Sequence, residues 1–350
     1  MEELPLSTTD EKEFDEKLCV NCQENPYEAG HPVDLCTNCR SQLIKYPIPK
    51  WIKVFALCLI AIILIALIRT QTYISAAIDL GKGEKAMERK EFVTAQRELI
   101  KVLSKFPDDV TANANLIIAA AYNLDLNAMN ISYQRILEKN VDDSELVEEV
   151  KKAIAYVDEN FVQDTVFRKR IDSASKNALA LTEIANLLEE KNGEPALKIL
   201  TANYLFDLAD YARVEQICLA VLKERPNSYN ALALMSALKR NTGKYEEAVN
   251  YCDKILAVNK ESVYAISQKA RIELKRKRDD KAAGYAAMAM KIDPQNDASL
   301  EALAMVDYFA GRKAKSLESL SIINANAAIS GDSTITKRLT PIINGTSNYR

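Results

Sequence analysis

The stretch Tyr229-Asn-Ala-Leu-Ala-Leu-Met-Ser-Ala-Leu-Lys-Arg-Asn-Thr-Gly-Lys-Tyr-Glu-Glu-Ala-Val-Asn-Tyr-Cys-Asp-Lys-Ile-Leu-Ala-Val-Asn259 decides the fold. Its first half places Ala231, Leu232, Leu234, Met235 and Leu238 at helical spacing and stops at Asn241-Thr242-Gly243, where glycine can take the left-handed C′ conformation. Its second half begins near Lys244 and Tyr245 and carries Ala248, Val249, Cys252, Ile255 and Leu256, again three and four residues apart. The segment therefore predicts two short amphipathic helices around a tight turn. Ala248 is small because the two helices come closest there, and a larger residue would overpack the crossing.

Outward from this stretch the same landmarks return every 34 residues. Pro226 and Pro294 flank Lys260, and Val214, Ala248 and Ala282 share one position. Val221, Ile255 and Ala289 share a second, and Ala209, Gly243 and Lys277 mark the bend. Ser316 and Gly311 continue the frame, and Phe92, Ala95, Leu99, Val102 and Pro107 keep it with a shift of phase. Thirty-four residues make about two short helices and two turns, and each pair leaves an apolar face that only a neighbouring pair can cover. This pattern resembles the tetratricopeptide repeat (TPR). The resemblance implies an all-α superhelical solenoid of antiparallel helix pairs whose first helices line a groove for a protein or peptide. Units are expected at about 76–109, 110–143, 195–228, 229–262, 263–296 and 297–330, within a repeat domain at 76–322. Residues 144–194 break the frame yet still read as amphipathic helix. Period-two alternation is nearly absent.

Upstream, every residue from Val54 to Ile68 is apolar and uncharged, with Trp51 and Tyr73 near the two ends. Taken as 51–73, this segment has the ~20 residues that a membrane-spanning helix needs, with Lys53 and Arg69 able to snorkel. Arg40, Lys45, Lys50 and Lys53 on one side, against Arg69 and Lys82 on the other, lean toward a cytoplasmic N-terminus. The expected location is a single-pass membrane protein, in a bacterial inner membrane, with extracytoplasmic repeats.

Cys19-Val-Asn-Cys22 and Cys36-Thr-Asn-Cys39 form two C-x-x-C pairs thirteen residues apart. That spacing lets two tight turns present Cys19, Cys22, Cys36 and Cys39 to one tetrahedral ion, and a reducing compartment suits such a site. The module, at 17–42, resembles a zinc ribbon or B-box-like finger, which implies structural Zn2+; iron or two disulfides are the alternatives. Its segment between the pairs is turn-rich, so the metal would be its main source of order. His31, the chain's one histidine, is left out because four cysteines complete a closed site. Residues 1–16 are acidic and read as disordered. Their carboxylates would repel phosphate, so a protein contact is expected of this end rather than nucleic acid.

Cys218 and Cys252 occupy equivalent positions in adjacent repeats, beyond disulfide reach at helix-packing distances of about 8–10 Å. The formal net charge of -3 shows no overall bias toward nucleic acid. Arg271, Lys275, Arg276, Lys277 and Arg278 cluster at one helix end, where cations also complement the helix dipole. Asn230, Arg240, Tyr264, Arg271 and Lys275 are the candidate partner-binding residues, placed to grip an acidic extended peptide in the groove that the resemblance implies. They do not match the two-carboxylate clamp of chaperone-binding TPR proteins. Residues 323–350, rich in Asn, Ser, Thr and Gly, are expected to form a flexible tail. No Gly-rich phosphate loop, H-E-x-x-H or G-x-S-x-G is present. The sequence thus points away from an enzyme and toward a membrane-anchored interaction scaffold. A signalling anchor acting through the cysteine module and a tethered nucleic-acid-binding finger are the alternative readings.

Overall fold

The computed structural model describes residues 17–44, 48–139, 143–161 and 194–350, so the expected disorder of residues 1–16 and most of the irregular interval lie outside the described residues. Two units divide the chain, Met1–Gln71 and Thr72–Arg350. Among the described residues every regular element is helical, and the one strand-like feature is an isolated antiparallel bridge between Leu18 and Pro26.

In the first unit the cysteine turns lead into α1 (Thr37–Ile44) and then into α2 (Lys50–Glu88). α2 is long and apolar enough to cross a bilayer, and none of its apolar window is buried. A core helix of a water-soluble fold would bury that window. Past the unit boundary the same helix changes character, and Ala76, Gly83 and Ala86 are buried. Gly83 lets the two helices approach closely, since a Cβ there would meet Leu99 Cγ at 3.0 Å and Leu99 would have to shift by a few tenths of an ångström.

In the second unit the rest of α2 pairs with α3 (Phe92–Lys105). α4 (Val110–Asn123) pairs with α5 (Leu126–Ile136), and α6 (Ser144–Asn160) packs on α4. Four more pairs follow: α7 (Pro195–Asp207) with α8 (Tyr211–Glu224), α9 (Tyr229–Asn241) with α10 (Tyr245–Val258), α11 (Val263–Lys275) with α12 (Asp279–Ile292), and α13 (Asp297–Phe309) with α14 (Lys313–Ser330). The repeat frame read from the sequence coincides with these pairs.

Two backbone devices enforce the period. At each bend one residue is left-handed: Lys90, Leu124, Ala209, Gly243, Lys277 and Gly311, with φ between 56° and 77°. The next N–H then reaches back across the helix end, as Lys244 N does to Lys239 O at 2.8 Å and Arg278 N to Glu273 O at 2.9 Å. These bonds satisfy carbonyls that would otherwise be orphaned. At the other joint Phe106, Arg225 and Asp293 are forced out of the helical region by the proline that follows each. Asn259 takes a similar conformation ahead of Lys260.

Ala248 and Ala282 are fully buried at the crossings, as are Val214 and Ser316. Ser316 satisfies its hydroxyl on Ala304 O at 2.8 Å. Cys218 and Cys252 are free, buried thiols, and Cys252 lies 3.0 Å from Ser236 Oγ.

Two features depart from the sequence reading. The stack is not open-ended: the N-terminal pairs dock on the joints of the middle ones. Glu261 accepts from Thr94 N and Thr94 Oγ1 at 2.7 Å, Lys260 N donates to Lys90 O at 2.9 Å, and Asn230 Nδ2 donates to Asn160 O at 2.6 Å. The expected flexible tail at 323–350 is corrected as well. α14 runs to Ser330, α15 (Thr334–Ile343) follows, and Leu339, Ile342, Ile343 and Tyr349 are buried in the core of the last repeats. Burying that apolar face offsets the ordering entropy, which the polar composition around it conceals.

Candidate functional site

The cysteine module is built by backbone turns. Cys19 N donates to Asn25 O at 2.8 Å, Gln23 N closes the first turn on Cys19 O at 2.9 Å, and Arg40 N closes the second on Cys36 O at 2.9 Å. Gln23 is left-handed at φ 55°, which turns the chain sharply after Cys22. The four sulfurs of Cys19, Cys22, Cys36 and Cys39 lie within 4.8 Å of one another, and Cys22 and Cys36 are 3.7 Å apart. A tetrahedral ion with bonds of ~2.3 Å spaces its sulfurs about 3.8 Å apart, so the donor set is compatible with a tetrahedral metal such as zinc. His31 is outside the cluster.

Amide donors surround the sulfurs. Asn21 Nδ2 donates to Cys39 Sγ at 3.4 Å, and Cys39 N donates to Cys36 Sγ at 3.4 Å. Burial pushes the Cys19 thiol up, but backbone donors at Cys22, Cys36 and Asn21 outweigh it and bring it down to about 6. At Cys39 the Asn21 amide pulls down, while burial and the other three sulfurs push harder and carry the thiol up to about 12. Crowded sulfurs of this kind share their protons until a cation replaces them.

The second candidate lies on the inner side of the last repeats. Of the five residues proposed for a partner, Arg240, Tyr264, Arg271 and Lys275 line one cavity of about 560 Å³. Asn230 does not, being tied to Asn160. Sequence reasoning missed the other wall, formed by Lys337, Arg338, Pro341 and Ile342 of α15 and by Ser347 and Tyr349 beyond it. The apolar spacing of Ile335, Leu339, Ile342 and Ile343 was the signal that could have found it.

Arg271 is 2% exposed and 3.4 Å from Glu301, itself buried. Arg338 holds both oxygens of Glu301, at 2.9 and 2.8 Å. Burial pushes the Glu301 carboxyl up, yet Arg271 and Arg338 outweigh it and hold it below the ordinary range. Among the described residues Arg240, 5% exposed, donates only to the neutral side chains of Gln268 and Asn241. Burial and the neighbouring Arg271 bring it down to about 10. Tyr349 donates its hydroxyl to Arg271 O at 3.0 Å and lies under Lys275, whose ammonium is 4.4 Å from the ring centre. An extended peptide reaching these cations would have to displace the C-terminal segment.

A larger cavity of about 840 Å³, between α3 and the joints at 259–264 and 292–298, has the opposite sign. Its carboxylates are already engaged: Asp125 by Gln96 and Ala128 N, Glu261 by Thr94, and Asp297 by Asn326.

No protein-family model matches the chain, and no curated protein does. Among solved structures, a thermophilic TPR protein of Thermus thermophilus is similar at 16% identity and TM-score 0.41, over 50% of this chain and 97% of that one. A tetratricopeptide repeat protein of Parabacteroides merdae is similar at 14% identity and TM-score 0.41, over 77% and 98%. Yeast Tom70 is similar at 14% identity and TM-score 0.38, over 77% and 67%. The fold described above rests on the helix pairs and their bends, independently of these partial superpositions.

Proposed function

We propose that this chain is a single-pass, membrane-anchored interaction scaffold whose TPR-like repeats bind a protein or peptide partner, with a structural zinc module at its N-terminal end. The observation that carries the reading is the double character of α2. Its apolar window is wholly unburied, while Ala76, Gly83 and Ala86 of the same helix pack the first repeat. An apolar stretch of that length left in water would drive aggregation, and a bilayer is its natural solvent. The charge bias around the span favours a cytoplasmic cysteine module and extracytoplasmic repeats. A zinc ion held by Cys19, Cys22, Cys36 and Cys39 would leave no open coordination position, which supports a structural role over a catalytic one.

The test is cell fractionation combined with crosslinking in intact cells from probes on the repeats. The full chain is expected in the membrane fraction and removal of 51–73 is expected to release it. One discrete protein should crosslink to the repeats. A soluble full-length chain would refute the anchor, and repeats that crosslink to nothing beyond background would refute the scaffold.

A further inference from the structure

The cavity under α15 has an electrostatic imbalance that an extended peptide could reach only by displacing α15. Among the described residues, five cationic side chains line it, Arg240, Arg271, Lys275, Lys337 and Arg338, and no carboxylate does. Glu301, which does not line the cavity, pairs with Arg271 and Arg338, and among the described residues the other three have no acidic partner in the cavity. Helix-end electrostatics do not account for this. Lys239, in the same last turn of α9 as Arg240, is matched by Glu215 at 2.6 Å and Glu247 at 2.7 Å. Arg240 beside it, only 5% exposed, has only neutral acceptors among the described residues. Arg271 Nε, also buried, has no acceptor among the described residues. A guanidinium held out of water without a counter-charge is costly to the fold, and an anion that enters the site removes that cost.

Three further points narrow the ligand. The cations come from α9, α11 and α15, so they approach from different directions, which suits the tetrahedral oxygens of a phosphate better than the flat pair of a carboxylate. The volume of about 560 Å³ is within the range of sites for organic ligands. Phe206, Tyr211 and Tyr264 offer rings for the uncharged part of such a molecule. We propose that this cavity is a binding site for a small organic phosphate, completed by Lys337 and Arg338 when α15 lies over the groove.

The proposal stands apart from the scaffold reading, because a chain that captures no protein would still bind the anion. The test is calorimetric titration of the full chain in detergent with pyrophosphate as the probe, and with citrate as a carboxylate of comparable charge. Pyrophosphate is expected to bind in the millimolar range or tighter, citrate about tenfold more weakly, and added salt should weaken both. Arg240→Gln orphans no carboxylate, and Lys337→Gln alters an exposed residue, so both variants should fold. Each is expected to weaken pyrophosphate binding about tenfold, while Lys277→Gln, outside the cavity, leaves it unchanged. Absence of pyrophosphate binding, equal affinity for citrate, or full affinity in both cavity variants would overturn the assignment.

Discussion

Replacing Gly243 by Ala isolates the backbone device that sets the repeat period. Gly243 sits at φ +77°, and a Cβ added there meets nothing within 4 Å, so the substitution adds strain without a clash. The left-handed conformation costs an L-residue about 1–2 kcal/mol, and the stiffer unfolded chain returns about 0.4–1 kcal/mol. The net loss is about 1 kcal/mol, which for a domain of this size lowers the melting temperature by about 2–4 °C. The equivalent bend one repeat later supplies a control of opposite sign. Lys277 is exposed and left-handed at φ 56°, so Lys277→Gly relieves the strain and should raise the melt by a similar or smaller amount. Circular dichroism melts of the full chain in detergent, both variants beside wild type, measure the pair. If Gly243→Ala melts at or above wild type, or if both variants shift the same way, the left-handed bends do not carry the strain assigned to them.

Ala248→Arg drives a charge into a fully buried crossing and should lower the same melt by several degrees; an unchanged melt would reject the register. The cysteine module should hold about one equivalent of zinc per chain, measured by metal analysis, and Cys36→Ser should lose it while the helical signal of the repeats persists. Glu301 has a folded-state pKa below its ordinary 4.5, so its stabilisation is complete above that value and is lost as pH falls through the lower one. Glu301→Gln should therefore melt lower than wild type at neutral pH, by about 3 kcal/mol for a broken buried pair, and should show a shallower fall in acid. Parallel curves down to the acid limit would show that Glu301 does not contribute.

The repeat frame was legible because it is written in local chemistry. Pro226 and Pro294 end helices by sterics, Gly243 and Gly311 accept the left-handed turn, and Ala248 and Ala282 mark close crossings, all in relation to near neighbours. The C-x-x-C spacing was equally local, and it converges on four sulfurs. What stayed hidden depends on distant partners. Asn160 and Asn230 are 70 positions apart, and Thr94 and Glu261 are 167 apart, and nothing periodic links them. α15 was obscured differently: ten helical residues set among Ser, Thr, Asn and Gly resemble a solvated tail by composition, although Leu339 and Ile343 belong to the core. That omission concealed one wall of the cation-lined cavity, whereas Arg240, Tyr264, Arg271 and Lys275 could be chosen because a stack of pairs puts their helices side by side.

The docking of Thr94 on Glu261 and of Lys90 on Lys260 has a consequence for how such a chain can evolve. Open solenoids lengthen or shorten by duplicating or deleting a unit, because each new unit sees only its neighbours. Here one unit inserted between 195 and 229 would carry the joint at 259–261 away from the α3 surface that meets it. The number of units in that arc is therefore fixed by a latch, and growth is confined to positions that leave both halves of the latch in place.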